Sequence, residues 1–537
     1  MSRRDVSSLV CDSYRSGKAR SQGMVLVVVL VVITLLALGA LTFSELMMAE
    51  REGAEVAVAQ SQARALADSG AEMARLFVAQ DADTQKQSGG WYSNEQRFRG
   101  VGVVSEGATH GTGRFTLVAP GLEDGRLAGI RSGLEDESAR LNLNTVLAVD
   151  KANQGKNQGR QMLMALPGMT EDVADAILDW IDMDDESREY GAELDAYASL
   201  SPPYSTRNGM PETLEELLLV RGVTPSLFFG MDTNRNFLID RSESNAPISI
   251  QTDNSDGSMN FGWSAYLTTY GKETNLRSDG SAKIDLNQTE AKKLYEDLQS
   301  ALGAEWATFI VAFRQSGPLD PDPKTPGQSL AGCEPDLDQP LKRTLTTILD
   351  LVGPRIQTRI KGENQAVILE TPFPDAPMLS STFLPTLLEN CTIGSSAPTG
   401  RVNINLAPRV VLGAVLCADP DLAADPSQVE EIVDQIVSLR PQDPNQADDE
   451  YKYETWIYSK LVVELDRMKK LMPYLCAQGT VYRTQAVGYF DKGGPAARIE
   501  VVIDATSSPP RIVFWRDMTH LGRGYPLETL GIEVSEP

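Results

Sequence analysis

The strongest pattern in the chain is an uninterrupted apolar run from Met24 to Phe43, 20 residues without a charge. A helix rises about 1.5 Å per residue, so a run of this length crosses a hydrocarbon core of roughly 30 Å and predicts a transmembrane helix over 24–43. Beyond Phe43 the rhythm changes. Val56, Ala59, Ala63, Leu66, Gly70, Met73 and Phe77 are spaced alternately three and four apart, which is one stripe of an amphipathic helix. No proline occurs before Pro120. Helix is therefore expected nearly unbroken from Met24 to Gln80, about 85 Å at the standard rise, with 44–85 as its continuation outside the bilayer.

After a polar loop the pattern becomes alternating. Gly113–Pro120 and Leu127–Asn144, with a turn at Glu123–Gly125, read as the first part of an antiparallel sheet within 100–145. The matching strands lie at the far end of the chain, at Thr480–Gly488, Ala497–Asp504 and Arg511–Trp515, within 479–520, and a tail follows over 521–537. A sheet begun near one end and finished near the other implies a large insertion between Thr145 and Gln478. Helical periodicity marks Gln161–Leu166, the stretch after Thr170 as an N-cap, Pro211–Val220, Gln288–Gln315, Leu341–Val352 and Ser427–Leu439. A run with six prolines from Pro318 to Pro340 reads as a linker, 317–340, between insertion parts 146–316 and 341–478. The expected class is α+β: a long N-terminal helix, an antiparallel sheet and a large, mostly helical insertion.

One motif recurs three times in that insertion, as Arg140-Leu-Asn-Leu-Asn144, Lys283-Ile-Asp-Leu-Asn287 and Arg401-Val-Asn-Ile-Asn405. The first is followed by Leu166-Pro-Gly-Met169, which looks like a helix-hairpin-helix element. Such hairpins hold nucleic-acid phosphate on backbone N–H groups, usually beside basic residues. Here Glu171 and Asp172 follow instead, and the whole chain carries a formal charge of −25. No nucleic-acid partner is expected from such a surface, and divalent cations suit it better.

Topology follows from the residues before the apolar run. Arg3, Arg4, Arg15, Lys18 and Arg20 outnumber Asp5 and Asp12, which keeps the N-terminus cytoplasmic and sends the rest across the membrane. Without residues 1–23 the chain has 44 basic and 72 acidic residues, a net charge of −28. Beyond Cys11 in that leader, Cys333, Cys391, Cys417 and Cys476 form an even set in a compartment that permits disulfides. Two bridges or four buried thiols both fit, and three pairings exist.

The sharpest candidate site is Asp232 to Glu243. Asp232, Asn234 and Asn236 fall at positions 1, 3 and 5 of a twelve-residue calcium loop, the Leu238 carbonyl at 7, Asp240 at 9 and Glu243 at 12. Calcium wants six to eight hard oxygens, and this spacing turns alternate residues inward. Phe237 occupies position 6, where glycine normally makes the sharp turn. A less regular acidic group, Asp182, Asp184, Asp185, Glu193 and Asp195, is a second candidate for Ca2+, and Asp253, Asn254 and Asp256 before Gly257 form a further polar turn.

Three parts of the chain carry a family resemblance. The junction of Gly23 with Met24 resembles the processing site of type IV pilin-like proteins, cut after the glycine on the cytoplasmic side by a prepilin peptidase. Val28 stands at the fifth mature position, where most such subunits carry a glutamate; its absence resembles the K-type minor pseudopilin. Asp179 to Phe228, with its Asp179-Trp-Ile-Asp182, Gly191-Ala-Glu193, Pro202-Pro-Tyr204 and Glu215-Glu-Leu217 signposts, is similar to the helical domain of type II secretion protein K, and Arg498 to Gly522 resembles the closing strands of the same family. The resemblance implies an inner-membrane, single-pass subunit with a periplasmic, calcium-stabilised head at the tip of a pseudopilus. It also implies I-type and J-type minor pseudopilins and the inner-membrane secretion platform as partners.

Enzyme chemistry finds little in the sequence: two histidines, His110 and His520, no Gly-x-Ser-x-Gly elbow and no phosphate loop. A non-enzymatic subunit is expected. The alternatives are a membrane-anchored helix-hairpin-helix protein of DNA uptake and an anchored hydrolase built from carboxylates.

Overall fold

With no proline to interrupt it, the N-terminal pattern forms one helix, α1 (Ala19–Val78). Its apolar residues from Met24 through Phe43 are exposed, and the helix is long and apolar enough to cross a membrane. The computed structural model describes residues 19–104, 111–153, 157–244, 256–319, 327–361, 365–396 and 398–532. Leader residues 1–18 with Cys11, as well as His110, Asp253 and Asn254, lie outside the described residues. Residues 1–62 and 63–537 are two units.

Within the second unit, seven strands make one antiparallel sheet: β1 (Val101–Val104), β2 (Gly113–Glu123), β3 (Arg126–Ser132), β4 (Glu135–Asp136), β5 (Val481–Phe490), β6 (Ala497–Asp504) and β7 (Arg511–Asp517). The path runs β1-β2-β5-β6-β7, with β3 on β2 and β4 on β5. The two chain ends meet where β2 pairs β5, from Val118 opposite Gln485 to Gly113 opposite Phe490. β5 and β6 are buried along their whole length, so they read as continuous cores rather than half-exposed strands.

The end of α1 packs on this sheet through small residues. Ala63, Leu66, Ala67, Gly70, Ala71, Ala74 and Phe77 are buried. The expected stripe is therefore buried at Ala59, Ala63, Leu66, Gly70 and Phe77, but Val56 is exposed and Met73 only half-buried. Close approach is the reason: a Cβ on Gly488 of β5 would stand 2.1 Å from the Ala63 carbonyl oxygen and 2.5 Å from the Ala67 nitrogen. Alanines fit against that surface where longer side chains do not.

The insertion repeats one plan three times, beginning each time at the recurrent motif. Leu141–Asn142 pairs in parallel with Leu267–Thr268, Ile284–Asp285 with Cys391–Thr392, and Val402–Asn403 with Leu475–Cys476. In each copy the motif's Asn142, Asp285 or Asn403 carboxamide or carboxylate oxygen accepts the amide two residues on, at 2.8 to 2.9 Å. Packed helices follow: α2 (Leu143–Ala152), α3 (Gln158–Met164) and α4 (Glu171–Ile181) in the first, α5 (Ala291–Leu302) and α6 (Ala304–Ser316) in the second, α7 (Arg409–Leu416) and α8 (Pro426–Leu439) in the third. A loop and a short turn with a threonine N-cap, Thr213, Thr347 or Thr455, complete each copy. The second copy is an excursion with bridged ends: the Glu273 amide donates to the Pro398 carbonyl at 3.1 Å and that of Gly400 to Gly271 at 2.9 Å.

Several expected elements differ. Gln288–Gln315 is two helices, broken at Gly303. Pro211–Val220 is only a 3-10 turn at Leu214–Leu219. In Leu341–Val352 only Ile348–Leu351 is helical, because the amides of Leu345 and Thr347 are taken by the Asn287 and Asp350 side chains. The described part of the proline-rich run lies inside the second copy, with Gln328 donating to Ile368 at 2.7 Å, rather than between two halves. Cys333, Cys391, Cys417 and Cys476 are free thiols, so neither bridge allowed by their number is formed.

The packing at Gly488 is testable. Gly488→Ala should lower stability by about 1–3 kcal/mol, the usual cost of overpacking against backbone, whereas Gly102→Ala, whose Cβ would meet nothing nearer than 3.8 Å, should leave the thermal midpoint of the detergent-purified protein nearly unchanged.

Candidate metal centre

The Asp232–Glu243 loop begins where the short helix Pro225–Phe229, N-capped by Thr224, ends at Gly230. Asp232 is buried, and its two oxygens accept from the Asn236 amide at 3.0 Å and the Phe237 amide at 2.8 Å. Asn236 Oδ1 accepts from the Leu238 amide at 2.8 Å. At the other end, the Glu243 carboxylate accepts from the Thr233 amide at 2.9 Å and the Asp240 amide at 3.0 Å. These bonds wrap residues 232–243 into a closed turn. Phe237 supports the turn despite its side chain: it adopts φ 60°, and Arg235 adopts 58°, left-handed values costing a non-glycine residue on the order of 1 kcal/mol each. The sharp turn expected of a glycine is thus made by phenylalanine.

What remains free in the loop is an acceptor. Asn234 Nδ2 donates to Asp240 at 2.8 Å, while Asn234 Oδ1 is buried without a hydrogen-bond partner. A buried orphan oxygen is costly unless something fills it, and the side chains at alternate positions of this loop offer only oxygen ligands, which suit a hard cation. Among the described residues no three His, Cys, Asp or Glu side chains gather as a cage; the loop would draw on amide and backbone oxygens as well. Burial pushes the Asp232 carboxyl up to about 6.

The second acidic group is organised by a cation that the acidic spacing alone does not reveal. Arg188 Nη1 lies 2.7 Å from Asp179 and 2.6 Å from Asp182, and Nη2 lies 3.1 Å from Asp150. Asp179 and Asp182 are raised by burial, with Arg188 offsetting part of that cost. Gly191 permits this arrangement, since a Cβ there would stand 1.8 Å from Asp179 Oδ2. Next to it Glu193 is buried with neither oxygen hydrogen-bonded, and Asp182 Oδ1 and Asn208 Oδ1 are likewise without partners. Burial and the neighbouring Asp179 push Glu193 up to about 7. Asp185 accepts from Asn208 Nδ2 at 2.7 Å, whereas Asp184 and Asp195 are exposed. Of the five residues picked from sequence, the structure thus buries Asp182 and Glu193 and leaves the others on the rim. Asn208 and Arg188 are the contributors that acidic spacing missed.

Aromatic packing explains the other signposts. Trp180 is buried edge-on to Tyr197 at 5.3 Å, and Tyr204 lies 5.4 Å from Tyr197. Glu216 holds Arg207 at 2.9 Å. A family model described as type II secretion system, protein K, matches residues 139–231, the whole of this aromatic and acidic assembly. That stretch of the chain is similar to type II secretion protein K.

Curated proteins are also similar to part of the chain. A putative type II secretion system protein K of Escherichia coli is 30% identical over 115 residues, 20% of this chain and 35% of that protein. The type II secretion system protein K of Pseudomonas aeruginosa is 31% identical over 105 residues, 19% and 31% of the two chains. The match thus spans about a third of the length of these relatives. A solved GspK-GspI-GspJ complex from enterotoxigenic Escherichia coli overlaps 88% of this chain and 98% of its counterpart at 11% identity and TM-score 0.36, a likeness too low to carry an argument.

The two raised carboxyls set a pH dependence for the metal-free protein. A carboxyl whose folded pKa lies above its ordinary value binds its proton more tightly folded than unfolded, so it favours folding at low pH and loses that contribution as pH rises. The window is 3.8 to about 6 for Asp232 and 4.5 to about 7 for Glu193. In excess chelator the thermal midpoint should therefore fall as pH rises from 4 to 8, with roughly 3 kcal/mol of stability lost through Asp232 over that whole span. Millimolar calcium should reverse the loss at pH 8 and do little at pH 5.

Proposed function

We propose that this chain is a K-type minor pseudopilin, cut after Gly23 and carried by α1 in the inner membrane with its head in the periplasm. The observation that carries this reading is the stretch similar to protein K at residues 139–231, inserted into a sheet on which the end of an apolar N-terminal helix packs. The exposed face of α1 from Met24 to Phe43 suits lipid and, after assembly, the helices of neighbouring subunits. Val28 at the fifth mature position supports a place with no subunit above it: a buried carboxylate there would need the next subunit's amine as partner. On this reading the head caps the pseudopilus, and the subunit nucleates the filament with I-type and J-type minor pseudopilins. The prepilin peptidase processes it and the inner-membrane platform receives it.

Calcium belongs to the same proposal. The Asp232–Glu243 loop would hold one ion through Asp232, Asn234, Asn236, the Leu238 carbonyl, Asp240 and Glu243. Glu193, Asp182 Oδ1 and Asn208 Oδ1, buried oxygens without hydrogen-bond partners, would serve a second. The metal would supply structural cross-linking only: it neutralises carboxylates that are otherwise costly to bury.

The processing step tests the reading in the host. Gly23→Glu should leave the full-length precursor in the membrane and reduce export of the system's secreted proteins at least tenfold, measured by immunoblot and by activity in the medium. Normal processing and export in that variant would overturn the proposal.

A further inference from the structure

The loop at Asp232–Glu243 has an outer side that faces away from its own oxygens. There the Asn234 carbonyl accepts from Arg498 of β6, and the Arg235 carbonyl accepts from Gln485 Nε2 of β5 at 2.9 Å. Asn236 works in both directions: its Oδ1 lies within the loop, while its Nδ2 donates to the Gly524 carbonyl at 2.6 Å. The loop is thereby tied to the sheet and to the segment that follows it.

Residues 523–532 then cross the sheet face. Tyr525 is buried and its hydroxyl donates to Gln485 Oε1 at 2.7 Å, so one glutamine joins the loop backbone to this segment. Tyr525 and Leu530 share an apolar cluster with Val118, Val487 and Tyr489, against which Leu238 of the loop also packs. At the far end, the Leu530 carbonyl accepts from Thr116 Oγ1 at 2.9 Å, and Arg99 donates to the carbonyls of Glu528 at 2.8 Å and Thr529 at 3.1 Å. Arg99 lies two residues before β1. The segment is a strap from the loop to the first strand of the sheet.

We propose that occupancy of the Asp232–Glu243 loop by calcium sets how firmly residues 523–532 hold to the sheet, making the loop a switch on this strap. The proposal rests on the reading of the loop as a calcium site. Ligands at alternate positions draw the side chains of residues 232, 234 and 236 inward, which fixes the backbone between them. That same backbone presents the carbonyls of Asn234 and Arg235 to Arg498 and Gln485. Fixing it also orients the Asn236 amide, whose oxygen faces the ion and whose nitrogen holds Gly524. Without the ion, the loop's outer contacts lose their support together.

Hydrogen exchange on the full chain in detergent, with calcium or with chelator, reads the strap directly. The reporting amides are those of Leu530, Gly531 and Ile532, which donate to the Pro526, Glu528 and Leu527 carbonyls. Calcium should slow their exchange at least fivefold, and Asp232→Ala should abolish the effect. Tyr525→Phe removes only the hydroxyl that meets Gln485; it should keep calorimetric calcium affinity within twofold while at least halving the calcium-dependent protection. Calcium binding at the loop with unchanged strap exchange would overturn the switch and leave the site standing. No calorimetric difference between the wild type and Asp232→Ala would overturn the calcium site and the switch with it.

Discussion

The pairing of β2 with β5 is the constraint on which the rest of the head depends. It joins residues 113–118 to residues 485–490, so every residue between them is held as a closed excursion from one sheet. The same β5 carries Gly488, where the backbone of α1 comes within van der Waals contact, and Gln485, which touches both the metal-type loop and the strap. Arg483, two residues earlier, meets Glu137 and, at 3.2 Å, Glu500, a buried ion pair network at the root of the insertion. Breaking one partner of such a network leaves a charge buried and unpaired, which is strongly unfavourable. One strand thus anchors the helix, the insertion and the strap.

Much of this was legible in the sequence because the relevant signals are local. The apolar run at Met24–Phe43 and the alternation at both ends of the chain needed no tertiary information. The tripled motif was visible, and its meaning became plain in the structure: each copy starts a short parallel ladder closed by a distant segment. Where the reading failed, the competing partners were remote. Leu341–Val352 has helical apolar spacing, yet Asn287, more than fifty residues away, takes the Leu345 amide. Val56 fits the stripe of α1 but is exposed, because periodicity marks a face without saying how far along the helix that face is covered.

The acidic sites show the same limit more sharply. Spacing alone placed Asp232, Asn234, Asn236 and Glu243 in one turn, and the hydrogen bonds from their own backbone make that turn. It could not show that Phe237 would accept a left-handed backbone. Within residues 139–231, Arg188 reaches Asp150, 38 residues back, and Asn208 reaches Asp185, 23 residues back. The acidic group is therefore half buried and built around a guanidinium, with the carboxylate of Glu193 left over.

The most direct test of the central claim, that this is a processed pilin-like subunit, is the intact mass and N-terminal sequence of the protein purified from membranes of its own host. The expected result is a mature chain that begins at Met24 and retains the apolar half of α1. A chain that keeps residues 1–23, or one cut beyond Phe43, would contradict it and leave the head as an anchored or released domain outside any filament.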